Sequence, residues 1–232
     1  MVVSIILIAL GMISMSFFIY GKVTHYSTKT VMLKTIASLL FVALSIYLFI
    51  YKNFPNVGIF IMIGAIFGLL GDIALGFKRI FKKHDKLMTL FGFIFFAVGH
   101  IVYVIGLIVN YYVLGQYLYI IIPFVGAVLF GASIFLIEKI LGLHLGKFRF
   151  VAMAYLIILI SLSATALSMC ILHGFKSAFL IVMLVGGILF ATSDLILSKT
   201  YFSDKPKKIE LILSSITYYL AQFIICFSLF FL

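Results

Sequence analysis

The stretch GLLGDIALGF, Gly68 to Phe77, contains one carboxylate, Asp72, among three glycines in an otherwise apolar run. The whole chain is similarly apolar: 66% of its 232 residues are hydrophobic, 10% are charged, and the mean hydropathy is +1.35. Soluble domains have about 45–50% apolar and about 25% charged residues. The composition therefore predicts an integral membrane protein, in which the burial of Asp72 needs an explanation.

Apolar segments of about 20 residues, the length that crosses a hydrocarbon layer of ~30 Å, recur along the chain with short loops between them. We predict a single all-α transmembrane domain over residues 1–232, with eight transmembrane helices and no soluble domain. The first segment lacks the basic n-region and cleavage site of a signal peptide and is expected to be a permanent helix. The predicted spans are Val2–Tyr20, Val31–Tyr51, Val57–Phe77, Leu87–Val109, Tyr117–Ile137, Phe148–Ile171, Ser177–Leu197 and Ile209–Leu232.

The formal net charge of +11 is explained by orientation in a bilayer and does not require a nucleic-acid partner. Fourteen of the 17 cations fall in the odd-numbered loops. By the positive-inside rule these loops are cytoplasmic and both termini are non-cytoplasmic. The 14 cations are Lys22, Lys29, Lys78, Arg79, Lys82, Lys83, Lys86, Lys139, Lys147, Arg149, Lys199, Lys205, Lys207 and Lys208.

An offset of 122 residues aligns several residues of the two halves of the chain, including Asp72 with Asp194 and His100 with Gln222. One interpretation is two four-helix repeats, residues 1–112 and 113–232, in the same orientation. The other is chance, because apolar chains give accidental matches and spans two and six show no convincing alignment.

Spacing predicts that both intramembrane acids face the bundle interior. Asp72 shares a helix face with glycines at four-residue intervals, and Asp194 shares one with Gly187 and Ala191. Small residues let neighbouring helices approach closely, and charges in a bilayer are costly unless they face protein or water. From the predicted span ends, the acids lie about 8 Å and 5 Å below the cytoplasmic boundary. Lys34 enters from the same side to a similar depth, where it either snorkels, pairs with an acid or binds substrate.

His100 lies about 20 Å from the cytoplasmic side, deeper than the acids. As the only histidine well inside a span, it cannot supply the roughly three protein ligands of a catalytic zinc, so we expect no metal and no other cofactor. It is interpreted either as a hydrogen-bonded structural histidine or as a pocket residue. Tyr103 and Gln222, also within spans, have the same two interpretations.

Four segments resemble the signature segments of the YhhN-like lysoplasmalogenase family: GAIFGLLGDIALGF, FGFIFFAVGHIVYVIGL, GGILFATSDLIL and YYLAQFIICFS. The resemblance implies an eight-span enzyme that hydrolyses the vinyl ether of lysoplasmalogens, which are lysophospholipids, to a fatty aldehyde and a glycerophosphoethanolamine or glycerophosphocholine. The family's GD and SD acids correspond to Asp72 and Asp194, its H-x-x-Y pair to His100 and Tyr103, and its AQ dipeptide to Gln222. We accordingly expect catalysis by the two acids, and substrate binding by Lys34, His100, Tyr103 and Gln222.

The hydrolysis of a vinyl ether is compatible with catalysis by two carboxyl groups. A vinyl ether is activated by protonation at carbon, which gives an oxocarbenium ion that water captures. Two nearby carboxyl groups in a low-dielectric site share one proton, so that one is the acid and the other the base. A proton-coupled transporter is the alternative function, and a structural or assembly factor a third. The membrane is predicted to be either the cell membrane or the endoplasmic reticulum.

Overall fold

The structure of the protein is a computed structural model that describes residues 1–78, 80–136, 138, 145–146, 149–202 and 207–232. The described residues form long α-helices joined by short connections, with 3₁₀ turns at Lys82–His84 and Ser228–Phe231. The helices are α1 (Val2–Thr24), α2 (Thr28–Tyr51), α3 (Asn56–Lys78), α4 (Asp85–Tyr111), α5 (Leu118–Leu136), α6 (Arg149–Leu172), α7 (Ala178–Phe202) and α8 (Lys208–Phe227).

Seven of these helices are long and apolar enough to cross a membrane. Backbone N–H and C=O groups have no water partners inside a bilayer, and a helix satisfies them within one segment. The protein is therefore a helical, multi-pass membrane protein. The shorter apolar helix α5 is the one left out of the seven, and its membrane crossing stays a prediction.

The boundaries differ from the predicted ones mainly at two helices. Helix α7 continues five residues beyond Leu197 to Phe202, and Lys199 in its last turn suits the negative end of the helix dipole. Helix α8 ends at Phe227, and the chain continues as a 3₁₀ turn. Several residues of the sequence predictions lie outside the described residues: Arg79, Ile137, Lys139, Lys147, Phe148 and Lys205.

Helix α8 lies inside the bundle and contacts α1, α2, α3 and α7, while α4 contacts α3 and α6. Glycines on α3 allow this close packing: a Cβ on Gly64 would overlap the ring of Tyr103, and one on Gly68 would overlap the amide of Gln222. The glycine stripe thus brings α4 and α8 against α3 as its spacing predicts. The two-repeat interpretation stays a prediction.

Candidate active site

A pocket with about 640 Å³ of empty volume, including open solvent at its mouth, lies at the end of the bundle where α1, α3 and α7 finish and α2 and α8 begin. This is the end that the charge distribution predicts to be cytoplasmic. The pocket wall includes Asp72, Asp194 and Lys34, which the sequence predicts to converge. The structure therefore brings both intramembrane acids and the intramembrane base to one cavity.

The three residues lie at similar depths when counted from the ends of their helices. Asp72 is six residues before Lys78, Lys34 is six after Thr28, and Asp194 is eight before Phe202. At ~1.5 Å per residue, Asp72 and Lys34 lie about 9 Å and Asp194 about 12 Å below the helix ends. The depths of about 8 and 5 Å below the cytoplasmic membrane boundary stay predictions.

Asp72 is buried, with 1% of its side chain exposed, and is surrounded by donors. The ammonium of Lys34 lies 2.9 Å from Oδ1, and the hydroxyls of Ser38 and Tyr218 each lie 2.6 Å from Oδ2. An ionised carboxylate only accepts hydrogen bonds, whereas a protonated one also donates. Donors on both oxygens, one of them a cation, therefore fit a carboxylate that carries its charge.

Asp194 is partly exposed and has a different set of partners. Its Oδ2 accepts a hydrogen bond from the hydroxyl of Tyr155 on α6. Among the described residues, its Oδ1 has only the hydroxyl of Ser193 at 3.4 Å, and that hydroxyl lies closer, at 3.1 Å, to the carbonyl of Ser214. Within the described part of the chain, no cation lies within ion-pair distance of Asp194. Its Oδ1 is thus the acid oxygen with the weakest partner.

A hydrogen-bonded chain extends from Asp72 into the bundle. The Tyr218 hydroxyl donates to Asp72 and accepts from Nε2 of Gln222 at 3.3 Å, and the Tyr103 hydroxyl lies 3.5 Å from Oε1 of Gln222. Because the hydroxyl of Tyr218 has one proton, the amide of Gln222 directs that proton toward Asp72. Gln222 and Tyr103 therefore lie deeper in the bundle than Tyr218, to which they are connected by hydrogen bonds, and do not line this pocket.

His100 also lies off the pocket wall. Its Nδ1 is 2.9 Å from the carbonyl of Phe96 in the preceding turn, and its ring meets the edge of Phe190 at a centroid distance of 4.3 Å. Its Nε2 is buried without a hydrogen-bond partner among the described residues. Substrate binding by His100, Tyr103 and Gln222 stays a prediction, and their contacts fit a supporting role better.

For Lys34, the geometry favours one of the sequence interpretations, pairing with an acid. Its ammonium is bound to Asp72, and its side chain is 12% exposed. A phosphate that captured this ammonium would leave a buried carboxylate without its counterion, which is costly. Binding of substrate by Lys34 nevertheless stays a prediction.

Sequence reasoning missed three residues on other helices that contact the acids. Ser38 and Tyr218 had a usable signal, because each lies four residues from a residue already singled out, Lys34 and Gln222, and so shares its helix face. Tyr155 had none, since it is one of 13 tyrosines and no spacing connects it to Asp194. No group of three His, Cys, Asp or Glu side chains close enough to hold a metal occurs among the described residues.

The architecture and the site can be compared with known proteins. A search of curated proteins and a search of solved structures return no match. The sequence profile of the YhhN family matches residues 5–229, nearly the whole chain. The matched region includes every helix that contributes to the pocket and both intramembrane acids. The protein belongs to the YhhN family.

Proposed function

We propose that the protein is a membrane hydrolase that cleaves the vinyl ether bond of lysoplasmalogens, releasing a fatty aldehyde and a glycerophosphoethanolamine or glycerophosphocholine. One observation carries the proposal: two carboxyl groups with unequal partners line one pocket, about 9 to 12 Å below the helix ends. The bond to be cleaved adjoins the glycerol of the lipid, so it lies just below the headgroups of a leaflet. The pocket depth is compatible with that level.

In this mechanism Asp194 holds the proton and Asp72 holds the charge. Asp72 has a lysine as counterion, whereas Asp194 has neutral hydroxyl partners, and a carboxyl group without a counterion in a low-dielectric site favours its neutral form. The weakly bonded Oδ1 of Asp194 would deliver its proton to the alkene carbon next to the ether-bearing carbon. The electron pair of the double bond forms the new C–H bond, and the ether oxygen stabilises the cation.

The second half of the reaction returns the proton. Water adds to the ether-bearing carbon of the oxocarbenium ion and gives its proton to the carboxylate of Asp194, which forms a hemiacetal. The C–O bond to the glycerol then breaks, the glycerol oxygen takes a proton, and the hemiacetal hydroxyl loses one as the aldehyde forms. The negative charge of Asp72 stabilises the cationic step electrostatically. No change in oxidation state and no further reactant besides water are needed.

The alternative function, a proton-coupled transporter, has less support from the fold. Transporter sites tend to lie at the bilayer midplane beside interrupted helices. Here the acids lie near one end of the bundle, and α3 and α7, which carry them, are continuous helices. We propose the orientation in which the pocket opens toward the cytoplasm.

Three matched lipids test the function on purified protein in detergent: a 1-alkenyl, a 1-alkyl and a 1-acyl lysophospholipid of equal chain length. Only the alkenyl lipid has a double bond that can accept the proton, so only this lipid should release aldehyde. In D₂O the product should carry one deuterium on the carbon next to the aldehyde. Release of fatty acid from the acyl lipid at a comparable rate, or no aldehyde from the alkenyl lipid, would contradict the proposal.

A further inference from the structure

The hydroxyl of Ser193 has two acceptors within reach and one proton to give. Its Oγ lies 3.1 Å from the carbonyl oxygen of Ser214 on α8 and 3.4 Å from Oδ1 of Asp194, the next residue in the chain. A serine hydroxyl donates a single hydrogen bond. Rotation about the Cβ–Oγ bond therefore transfers that hydrogen bond from one acceptor to the other, while the heavy atoms stay in place.

Ser193 lies where such a rotation can act on the reaction. Its side chain lines the pocket together with Asp194, yet the residue is only 1% exposed. Little bulk water therefore reaches its hydroxyl, whose acceptors among the described residues are the two oxygens already named. The choice between them depends on which oxygen is the stronger acceptor, and this in turn depends on the charge of Asp194.

While Asp194 keeps its proton, the carbonyl of Ser214 is the better acceptor for Ser193. It is the nearer of the two oxygens, and the 3.4 Å distance to Oδ1 is longer than is usual for a hydrogen bond between two oxygens. The hydroxyl of Tyr155 donates to Oδ2, so the proton of a neutral Asp194 belongs on Oδ1. Ser193 thus contributes little to the resting acid.

After Asp194 gives its proton to the alkene, Oδ1 belongs to a charged carboxylate. Hydrogen bonds to ionised acceptors are shorter and roughly twice as strong as those between neutral groups. Resting on the proposed function, we infer that Ser193 is a positioning residue whose hydroxyl turns from Ser214 to Oδ1 as the proton leaves, and so stabilises the carboxylate of Asp194.

This hydrogen bond forms only as the proton is transferred. It therefore lowers the barrier of that step without strengthening the binding of the lipid, because only interactions that are stronger in the transition state raise kcat. No covalent bond of Ser193 forms or breaks. The hydroxyl turns back to Ser214 when the attacking water returns a proton to Asp194.

The kinetic test compares Ser193→Ala with Thr200→Val, which removes another hydroxyl from the pocket wall on the same helix. The hydroxyl of Thr200 donates to the carbonyl of Leu197 at 2.8 Å, so its loss should leave kcat and KM within about twofold. With the 1-alkenyl lysophospholipid, Ser193→Ala should lower kcat roughly tenfold and leave KM within about twofold. An unchanged kcat in Ser193→Ala, or an equal loss in Thr200→Val, would overturn the inference.

Two further variants separate this role from a structural one. Ser193→Thr keeps the hydroxyl and should restore most of kcat. In the Asp194→Asn background, which has no carboxyl proton to give, Ser193→Ala should cause no further loss of the residual rate. A further tenfold loss in that background would show that Ser193 does not act through Asp194. Unfolding titrations in mixed micelles check the fold of each variant, and if Ser193→Thr does not fold, the Asp194→Asn background decides.

Infrared spectroscopy on protein with isotope-labelled aspartate tests the rotation without any turnover. The band of Asp194 is identified by its loss in Asp194→Asn, and the pH is raised until the neutral carboxyl band is replaced by the carboxylate band. Ser193→Ala should shift the carboxylate band more than the neutral band, because the hydroxyl donates to Oδ1 only in the charged state. Equal shifts, or none, would overturn the inference. If the wild type releases no aldehyde, the proposed function fails, and this comparison alone decides whether Ser193 responds to the charge of Asp194.

Discussion

Asp72 and Asp194 line one pocket, yet their partners differ. Asp72 is buried and contacts an ammonium and two hydroxyls from α2 and α8, whereas Asp194 is partly exposed and contacts neutral hydroxyls. Two identical side chains in one pocket can thus have different environments. The difference comes mainly from helices other than the acid's own.

The largest effect should come from removing either carboxyl group. Asp194→Asn cannot deliver a proton, and Asp72→Asn leaves the positive charge of Lys34 beside a cationic intermediate. Each should lower kcat for aldehyde release about a thousandfold, within the range of general acid catalysis and electrostatic stabilisation. The double variant should be little worse than either single one, because both groups serve one step. Near wild-type turnover in either variant would remove that residue from the mechanism.

The next largest effect should be on the free energy of unfolding, which should differ between variants at the two acids. Lys34→Met leaves a buried carboxylate without its counterion and should lower the free energy of unfolding by about 2 to 4 kcal/mol. Asp194→Asn breaks no ion pair and should change it by less than about 1 kcal/mol. Unfolding titrations in mixed micelles measure both.

The double variant Lys34→Met, Asp72→Asn is the control for that comparison. It removes both charges and should regain most of the stability lost in Lys34→Met. If it is as unstable as Lys34→Met, the ion pair is not the cause of the loss. A rise of KM without loss of kcat in Lys34→Met would instead support phosphate binding by Lys34.

The tyrosines beside the acids provide a smaller effect. Tyr218→Phe and Tyr155→Phe each remove one hydroxyl donor and should lower kcat by roughly tenfold, as the loss of a hydrogen bond to a charged or proton-sharing group implies. Tyr218→Phe combined with Lys34→Met should be non-additive, since both contact Asp72, whereas Tyr218→Phe and Tyr155→Phe should add. Additivity of Tyr218→Phe with Lys34→Met would contradict a shared action through Asp72, and non-additivity of Tyr218→Phe with Tyr155→Phe would contradict separate environments of the two acids.

The smallest effects should come from the residues behind the pocket. His100→Gln, Tyr103→Phe and Gln222→Met are expected to change KM by less than about threefold, because none of these residues lines the pocket. Gln222→Met should lower kcat slightly by releasing the hydroxyl of Tyr218. A tenfold rise of KM in any of the three would show that it contacts the substrate and would restore the prediction from sequence.

Much of this protein is determined by its sequence alone. Length and hydropathy predicted the membrane helices, because a bilayer imposes one span length and requires each segment to satisfy its own backbone. Glycines spaced four residues apart predicted the inward face of Asp72, since small residues mark close helix contacts. The family also follows from local motifs such as the GD and SD acids.

The different partners of the two acids were decided only by tertiary structure. In lipid, a helix is apolar on nearly every face, so its sequence does not encode which neighbouring helix a given face will meet. The pairing of Lys34 with Asp72 rather than Asp194, and the contact of Tyr155 with Asp194, depend on how α2 and α6 are rotated and crossed against α3 and α7. Those rotations result from the packing of the whole bundle, and no local pattern of residues specifies them.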